Sequence, residues 1–182
     1  VISVRQATPP DAPELVRLRA VMLSSLGGTE PAPGPWRDTA VQILRTRLVD
    51  PDGALAAFVV DAPDRDAPDR DAPDRDAPDG DGQGRPASLA ACVVGLVEQR
   101  LPSPANPTGE VGYVFSVATD PDHRRRGYAR ACMQRLLAWF SHRGVTQIDL
   151  RASTDGEPMY RSLGFERTRD PAMRLVLPPS GG

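Results

Sequence analysis

From Val117 to Ala152 the chain reads as a strand, an arginine-rich loop, an amphipathic helix and a second strand, and few folds accommodate that order. The loop is Asp120-Pro121-Asp122-His123-Arg124-Arg125-Arg126-Gly127-Tyr128-Ala129. Behind it Ala129, Cys132, Met133, Leu136, Leu137 and Phe140 recur at spacings of three and four, which makes one stripe of a helix apolar. Arg130, Gln134 and Arg135 fall off the stripe, His142 and Arg143 suit the negative end of the helix dipole, and Gly144 supplies a left-handed stop. Gln147 to Ala152 then reads as a strand. A helix that carries the chain between two strands in this way normally sets them side by side and parallel, so the fold class is α/β.

The loop ahead of the helix has the makings of an anion cradle. A helix start leaves backbone N–H groups without partners and carries the positive end of the dipole. Gly127 lets the backbone approach a ligand, Ala129 keeps the first turn slim, and Arg124, Arg125 and Arg126 add charge. Farther along, Met159 to Phe165 reads as a short helix closed by Gly164, with an aromatic leading into another strand.

Together these segments resemble the GNAT N-acetyltransferases. Thr119 to Ala129 is similar to the family's acetyl-CoA signature, V-x-P-x-x-[RQ]-x-x-G-x-[GA], with Thr119 the one conservative departure, and Tyr160-x-x-x-Gly164-Phe165 is similar to the second family signature. An arginine-rich chain easily meets the first pattern alone; the ordered pair is much harder to meet by accident. The resemblance is strong from Gly112 to Phe165 and only topological before that. It implies a mixed, mostly antiparallel sheet of six to seven strands flanked by about four helices. It also implies that the strand before the loop is bulged and splays from the strand after the long helix, opening a cleft for the pantetheine arm of acetyl-CoA. Gly112 and Ser116 are the two places where such a bulge fits the sequence. By the same resemblance Val117, Ala118 and Thr119 would meet the pantetheine, and Arg124, Arg125, Arg126, Gly127, Tyr128, Ala129 and Arg130 the pyrophosphate. Ser153 stands where many members carry an Asn, keeping a hydroxyl and losing the amide; it also fits as a cap of the short helix.

Moving an acetyl group from a thioester to an amine requires an unprotonated amine, a stabilised oxyanion and protonation of the leaving thiolate. Tyr160 is the candidate acid, since a phenol of pKa about 10 is neutral at working pH; the other reading is a ring that packs over the cofactor without donating. Glu98 and Glu110 are the candidate bases, directly or through a water, and each also fits a strand-end surface charge. Tyr113 fits the acceptor pocket or the core, and His123 fits an anion contact or a turn cap. Without a second His or Cys at ligand spacing, no metal is expected. The expected reaction is direct acetylation of a primary amine on a small molecule or peptide. The alternative is a catalytically weak CoA-binding module acting as sensor or scaffold.

Ile2 to Gln6 alternates as a strand, followed by a helix to Leu26 that starts at Pro9 or Asp11, because Thr8 with Asp11 and Asp11 with Glu14 both make capping boxes. A second helix covers Trp36 to Leu48, with Val41, Leu44 and Leu48 inward. Strands are expected at Ala54 to Val60, Leu89 to Arg100 and Glu110 to Thr119. Tandem pentapeptides fill Asp61 to Gly80, DAPDR three times and then DAPDG, with almost nothing to bury. The chain is therefore expected to be one domain, residues 1–182, with 61–87 a mobile low-complexity insertion in a hairpin.

All 22 basic residues are arginine, yet the net charge is -2, which argues against a nucleic-acid binder working through a broad basic face. Cys92 and Cys132 sit in apolar patterns and read as buried thiols, so a reducing, cytoplasmic setting is expected. No apolar run approaches a membrane span, and no charged segment precedes an apolar core at the start, so neither membrane association nor a signal peptide is expected. The acceptor and the oligomeric state are not written in these motifs, although homodimers are frequent among similar proteins.

Overall fold

The structure is a computed structural model that describes residues 1–63 and 88–178. Most of the expected insertion, residues 64–87, lies outside the described residues. The chain forms two compact units, Val1–Arg151 and Ala152–Gly182.

The first unit carries β1 (Arg5–Gln6), α1 (Ala12–Gly27), α2 (Pro35–Arg47), β2 (Leu55–Asp61), β3 (Leu89–Gln99), β4 (Glu110–Thr119), α3 (Tyr128–His142) and β5 (Gln147–Leu150). The strands form one sheet in sequence order, antiparallel from β1 to β4 and parallel between β4 and β5. The crossover through α3 thus sets the one parallel pair, as the strand–helix–strand order requires. Three-residue 3₁₀ turns precede α1 at Pro9–Asp11 and α3 at Pro121–His123.

The start of α1 shows which cap wins. The Asp11 carboxylate accepts from the Thr8 amide at 2.8 Å and is held by Arg5 through two bonds of 2.8 Å. Glu14 accepts from the Leu89 amide at 2.9 Å and from Arg17 instead, tying α1 to the head of β3.

Both faces of the sheet are covered. On one face Leu15 and Leu18 of α1 join Leu55, Ala57, Val59, Cys92 and Val94. On the other Met133, Leu136 and Phe140 of α3 are fully buried, and full burial of each contributes about 1.5–3 kcal/mol. The sheet admits them through two glycines: a Cβ on Gly95 would lie 2.6 Å from Leu136 Cδ1, and one on Gly112 2.8 Å from Phe140 Cε1. Gly112 therefore serves packing.

The second unit contains α4 (Glu157–Arg161). Gly164, at φ 94°, follows it, and the Phe165 amide donates back to the Tyr160 carbonyl at 3.1 Å. The strand expected after Phe165 does not form, so the described residues hold five strands rather than six to seven. Met173, Leu175, Val176 and Leu177, which would pair and bury in such a strand, are exposed.

Candidate active site

The decisive irregularity of the sheet is in β4. Cys92 pairs with Ala118 and Val94 with Phe115, so three residue steps on β4 face two on β3. The extra residue is Ser116, buried and left-handed at φ 52°, which places the bulge there and not at Gly112. Its hydroxyl accepts from Arg19 Nη1 on α1 at 2.6 Å, and its carbonyl accepts from the Cys92 thiol at 3.4 Å. Pairing with β5 runs from Val111 to Val114 and stops just before the bulge. All four residues of β5 pair with Val111 to Val114, and among the described residues Phe115 to Thr119, which run on past the end of β5, have no β5 partner.

Beyond the strand, Asp120 organises the loop. Its carboxylate accepts from the Asp122 amide at 3.1 Å and from Arg17 Nη1 at 2.7 Å, while its own amide donates to the Ala90 carbonyl. Burial pushes the Asp120 carboxyl up, but the Arg17 and Asp122 hydrogen bonds and the Arg17 charge outweigh it, leaving the group below the usual carboxylate range. Arg17 also donates to the Leu89 carbonyl at 2.8 Å, so one guanidinium joins α1, β3 and the loop.

Two left-handed residues, Arg125 at φ 61° and Gly127 at φ 79°, then flank Arg126. Such alternation turns successive amides toward one side, the geometry of an anion nest. The first hydrogen bond of the α3 ladder runs from the Ala131 amide to the Gly127 carbonyl at 3.0 Å, so the amides of Tyr128, Ala129 and Arg130 precede the ladder. Arg124, Arg125 and Arg126 are exposed; Arg124 reaches the Ser25 hydroxyl at 3.3 Å and Arg126 the Asp122 carbonyl at 3.4 Å. The His123 ring stands 6.4 Å from that of Tyr128, with Nδ1 buried and unpartnered among the described residues.

The two sequence-predicted carboxylates sit on opposite faces of the sheet. Alternation puts Glu110 with Gly112, toward α3, and Glu98 with Val94 and Leu96, toward α1. Glu98 accepts from Arg100 at 2.8 Å, and Arg100 also reaches Asp149 at 3.4 Å. Asp149 pairs in register with Tyr113 and shares that face. It is absent from the sequence-based set of candidates, and the alternation within Gln147–Leu150 is the signal that could have found it. A separate groove lined by Val1, Ile2, Ser3, Val60, Asp61 and Pro63 touches Tyr128 but none of these carboxylates, so it does not suit the chemistry.

In the second unit Tyr160 is buried on α4, edge-on to Phe165 at 6.0 Å, and burial raises its phenol above the ordinary value. Gly156 is the N-cap of α4, with no side-chain cap bond, and Ser153 instead closes the turn ahead of it: its hydroxyl accepts from the Gly156 amide at 3.1 Å and its carbonyl from the Glu157 amide at 3.0 Å. Glu157 is held by Arg167 and Arg161, which bring its carboxyl down to about 2.

Comparison with known proteins agrees with this geometry. The model of the acetyltransferase (GNAT) family matches residues 56–165, more than half of the chain. The [ribosomal protein bS18]-alanine N-acetyltransferase of Escherichia coli is 38% identical over 55 residues, which cover 29% of this chain and 37% of that protein; the match thus spans little more than a third of the relative. A predicted acetyltransferase of Clostridium acetobutylicum, solved with acetyl-CoA, superposes with a TM-score of 0.72 at 22% identity, covering 97% of this chain and 96% of its own. A GCN5-related N-acetyltransferase of Ralstonia eutropha gives 0.68 at 23% identity, over 96% and 99% of the two chains. The bulged strand, the loop ahead of α3 and the family match lead to one conclusion: this chain belongs to the GNAT acetyltransferase family.

Proposed function

We propose that the chain is an acetyl-CoA-dependent N-acetyltransferase that acetylates a primary amine of a small molecule or peptide by direct attack. The observation that supports this reading is the Ser116 bulge in β4, after which Val117 to Thr119 run on without a β5 partner into a loop whose backbone alternates as in an anion nest. The family match, residues 56–165, takes in parts of both compact units, and we treat residues 1–182 as one domain. Within it, Val117, Ala118 and Thr119 would meet the pantetheine through their backbones. Arg124 to Arg130 would hold the pyrophosphate, and Ser153 and Tyr160 would complete the cofactor contacts.

For the chemistry, Glu98 and Asp149 share the face that carries α1, and either can take the proton of the ammonium, directly or through a water. Glu110 remains a base only if the acceptor enters from the α3 side. The amine then attacks the thioester carbonyl, the tetrahedral oxyanion collapses, and the thiolate leaves. Tyr160 supplies its proton in this reading, since burial keeps the phenol protonated and therefore able to donate at neutral pH. Neither thiol suits a covalent relay, because Cys92 and Cys132 are both buried and pushed up to about 12. Unpaired cysteines also support a reducing, cytoplasmic setting. Among the described residues no helix is long and apolar enough to cross a membrane.

The test is release of free thiol from acetyl-CoA across a panel of amines, amino acids and peptides, the E. coli relative's action on an alanine making peptides with N-terminal alanine the first choice. Turnover of any acceptor supports the reading. Flat traces with coenzyme A still bound would favour the sensor or scaffold.

A further inference from the structure

Half-buried Arg143 has the Asp52 carbonyl and the face of the Trp139 ring, while the half-buried guanidinium groups of Arg5, Arg17 and Arg37 are given acids: Asp11 and Asp61, Glu14 and Asp120, and Glu30 respectively. Arg19, also half-buried and only two residues from Arg17 on α1, has none among the described residues. Its one partner is neutral, the Ser116 hydroxyl at 2.6 Å. A guanidinium carries five N–H donors in a flat fork, and a partly desolvated charge left with a single neutral acceptor is costly unless a counterion arrives. The anchoring bond settles where the fork sits: at the bulge, just past the last residue of β4 that pairs with β5, on the face that also carries Glu98 and Asp149.

We propose that Arg19 determines acceptor specificity by binding a carboxylate on the acceptor molecule. The proposal rests on the acetyltransferase reading and narrows it. Asp149 of β5 pairs with Tyr113, which lies three residues before Ser116 on β4, roughly 10 Å along the strand at ordinary rise. An acceptor that places its amine toward Glu98 and Asp149 and its carboxylate on Arg19 is therefore about the length of an amino acid or a dipeptide. Ser116 holds one edge of the fork, so the guanidinium is already oriented for a two-point contact with a carboxylate. Arg19 does not enter the bond-making steps; it selects which amine reaches them.

The test compares matched acceptors, free amino acids and dipeptides against their own carboxamides, in the thiol-release assay with the native chain, Arg19→Gln and Arg19→Lys. A melting curve verifies that each variant is folded, and calorimetry with coenzyme A follows the cofactor site separately. The native chain should prefer the acid of a pair by about tenfold or more in kcat/KM. Arg19→Gln should bring that preference to within about threefold, through a higher KM for the acid, and Arg19→Lys should restore part of it. Should Arg19→Gln not fold, Arg19→Lys decides instead: a loss of at least about threefold in the preference supports the proposal, and an unchanged preference overturns it. A native chain indifferent to the carboxylate overturns the proposal, as does a preference that survives in Arg19→Gln. Equal loss of kcat for acid and amide also overturns it, since the guanidinium would then act on the transition state common to both. Silence with every acceptor while coenzyme A still binds overturns the acetyl-transfer reading, and this proposal with it.

Discussion

At Gly112 the β4 backbone lies close enough to Phe140 that a methyl group would have to sit 2.8 Å from its ring. Phe140 is fully buried and has nowhere to move, so Gly112→Ala should destabilise the fold by about 1–3 kcal/mol, read as a lower urea midpoint at constant slope. Tyr160 is the opposite case, a residue to which the proposed function assigns a chemical role. Tyr160→Phe keeps the packing against Phe165 and removes the proton, so kcat should fall by about a hundredfold or more while the dissociation constant of coenzyme A, measured by calorimetry, changes little. Because burial raises the phenol, the native kcat should decline only as pH climbs past its ordinary pKa of about 10, and that decline should vanish in Tyr160→Phe.

Two clamps fix α1 as an element. Arg17 bridges Glu14, the Leu89 carbonyl and Asp120, and its replacement by Met strands two carboxylates that are themselves only part-buried. The expected loss is about 1–2 kcal/mol after allowing for solvent screening, accompanied by weaker coenzyme A binding because Asp120 shapes the loop. The second clamp is Arg5 on Asp11. Burial pushes the Asp11 carboxyl up, but the bonds from Arg5 and Thr8 outweigh it and hold it below the usual range. A depressed carboxyl contributes stability in full above the unfolded value of about 3.9, and that contribution fades as pH falls through the folded value. Urea midpoints should therefore drop steeply below about pH 4, and Asp11→Asn should flatten that slope while lowering the midpoint at neutral pH. The bulge belongs to this scale too. A single strand of hydrophobic alternation leaves Gly112 and Ser116 equally good places for it. Only the register against β3, together with the bonds from Arg19 and Cys92, places it at Ser116.

For the molecule as a whole, the hairpin that carries the tandem repeats is closed at its base by the Ala62 amide, which donates to the Ser88 carbonyl at 2.8 Å. Excising residues 66–80 shortens the connection by little more than one halving, which should stabilise the fold by about 0.6–0.9 kcal/mol and leave acetyl transfer intact. A melting temperature that falls, or lost turnover, would give the repeats a role. The α/β class, the crossover, the turn-rich loop ahead of α3 and the helix bounds to within a residue or two were all legible in the chain itself. Each rests on interactions between near neighbours: apolar spacing, glycine at a helix end, arginines at a helix start. Long-range pairing decided the rest. It put Glu98 and Glu110 on opposite faces of the sheet, brought Asp149 beside Tyr113, set Arg19 on the Ser116 hydroxyl with no acid beside it among the described residues, and withheld a strand from the apolar residues near the end of the described chain. Local spacing reports what a segment prefers, whereas the identity of a side chain's neighbours across a sheet depends on register, and register is set by packing between segments far apart in the chain.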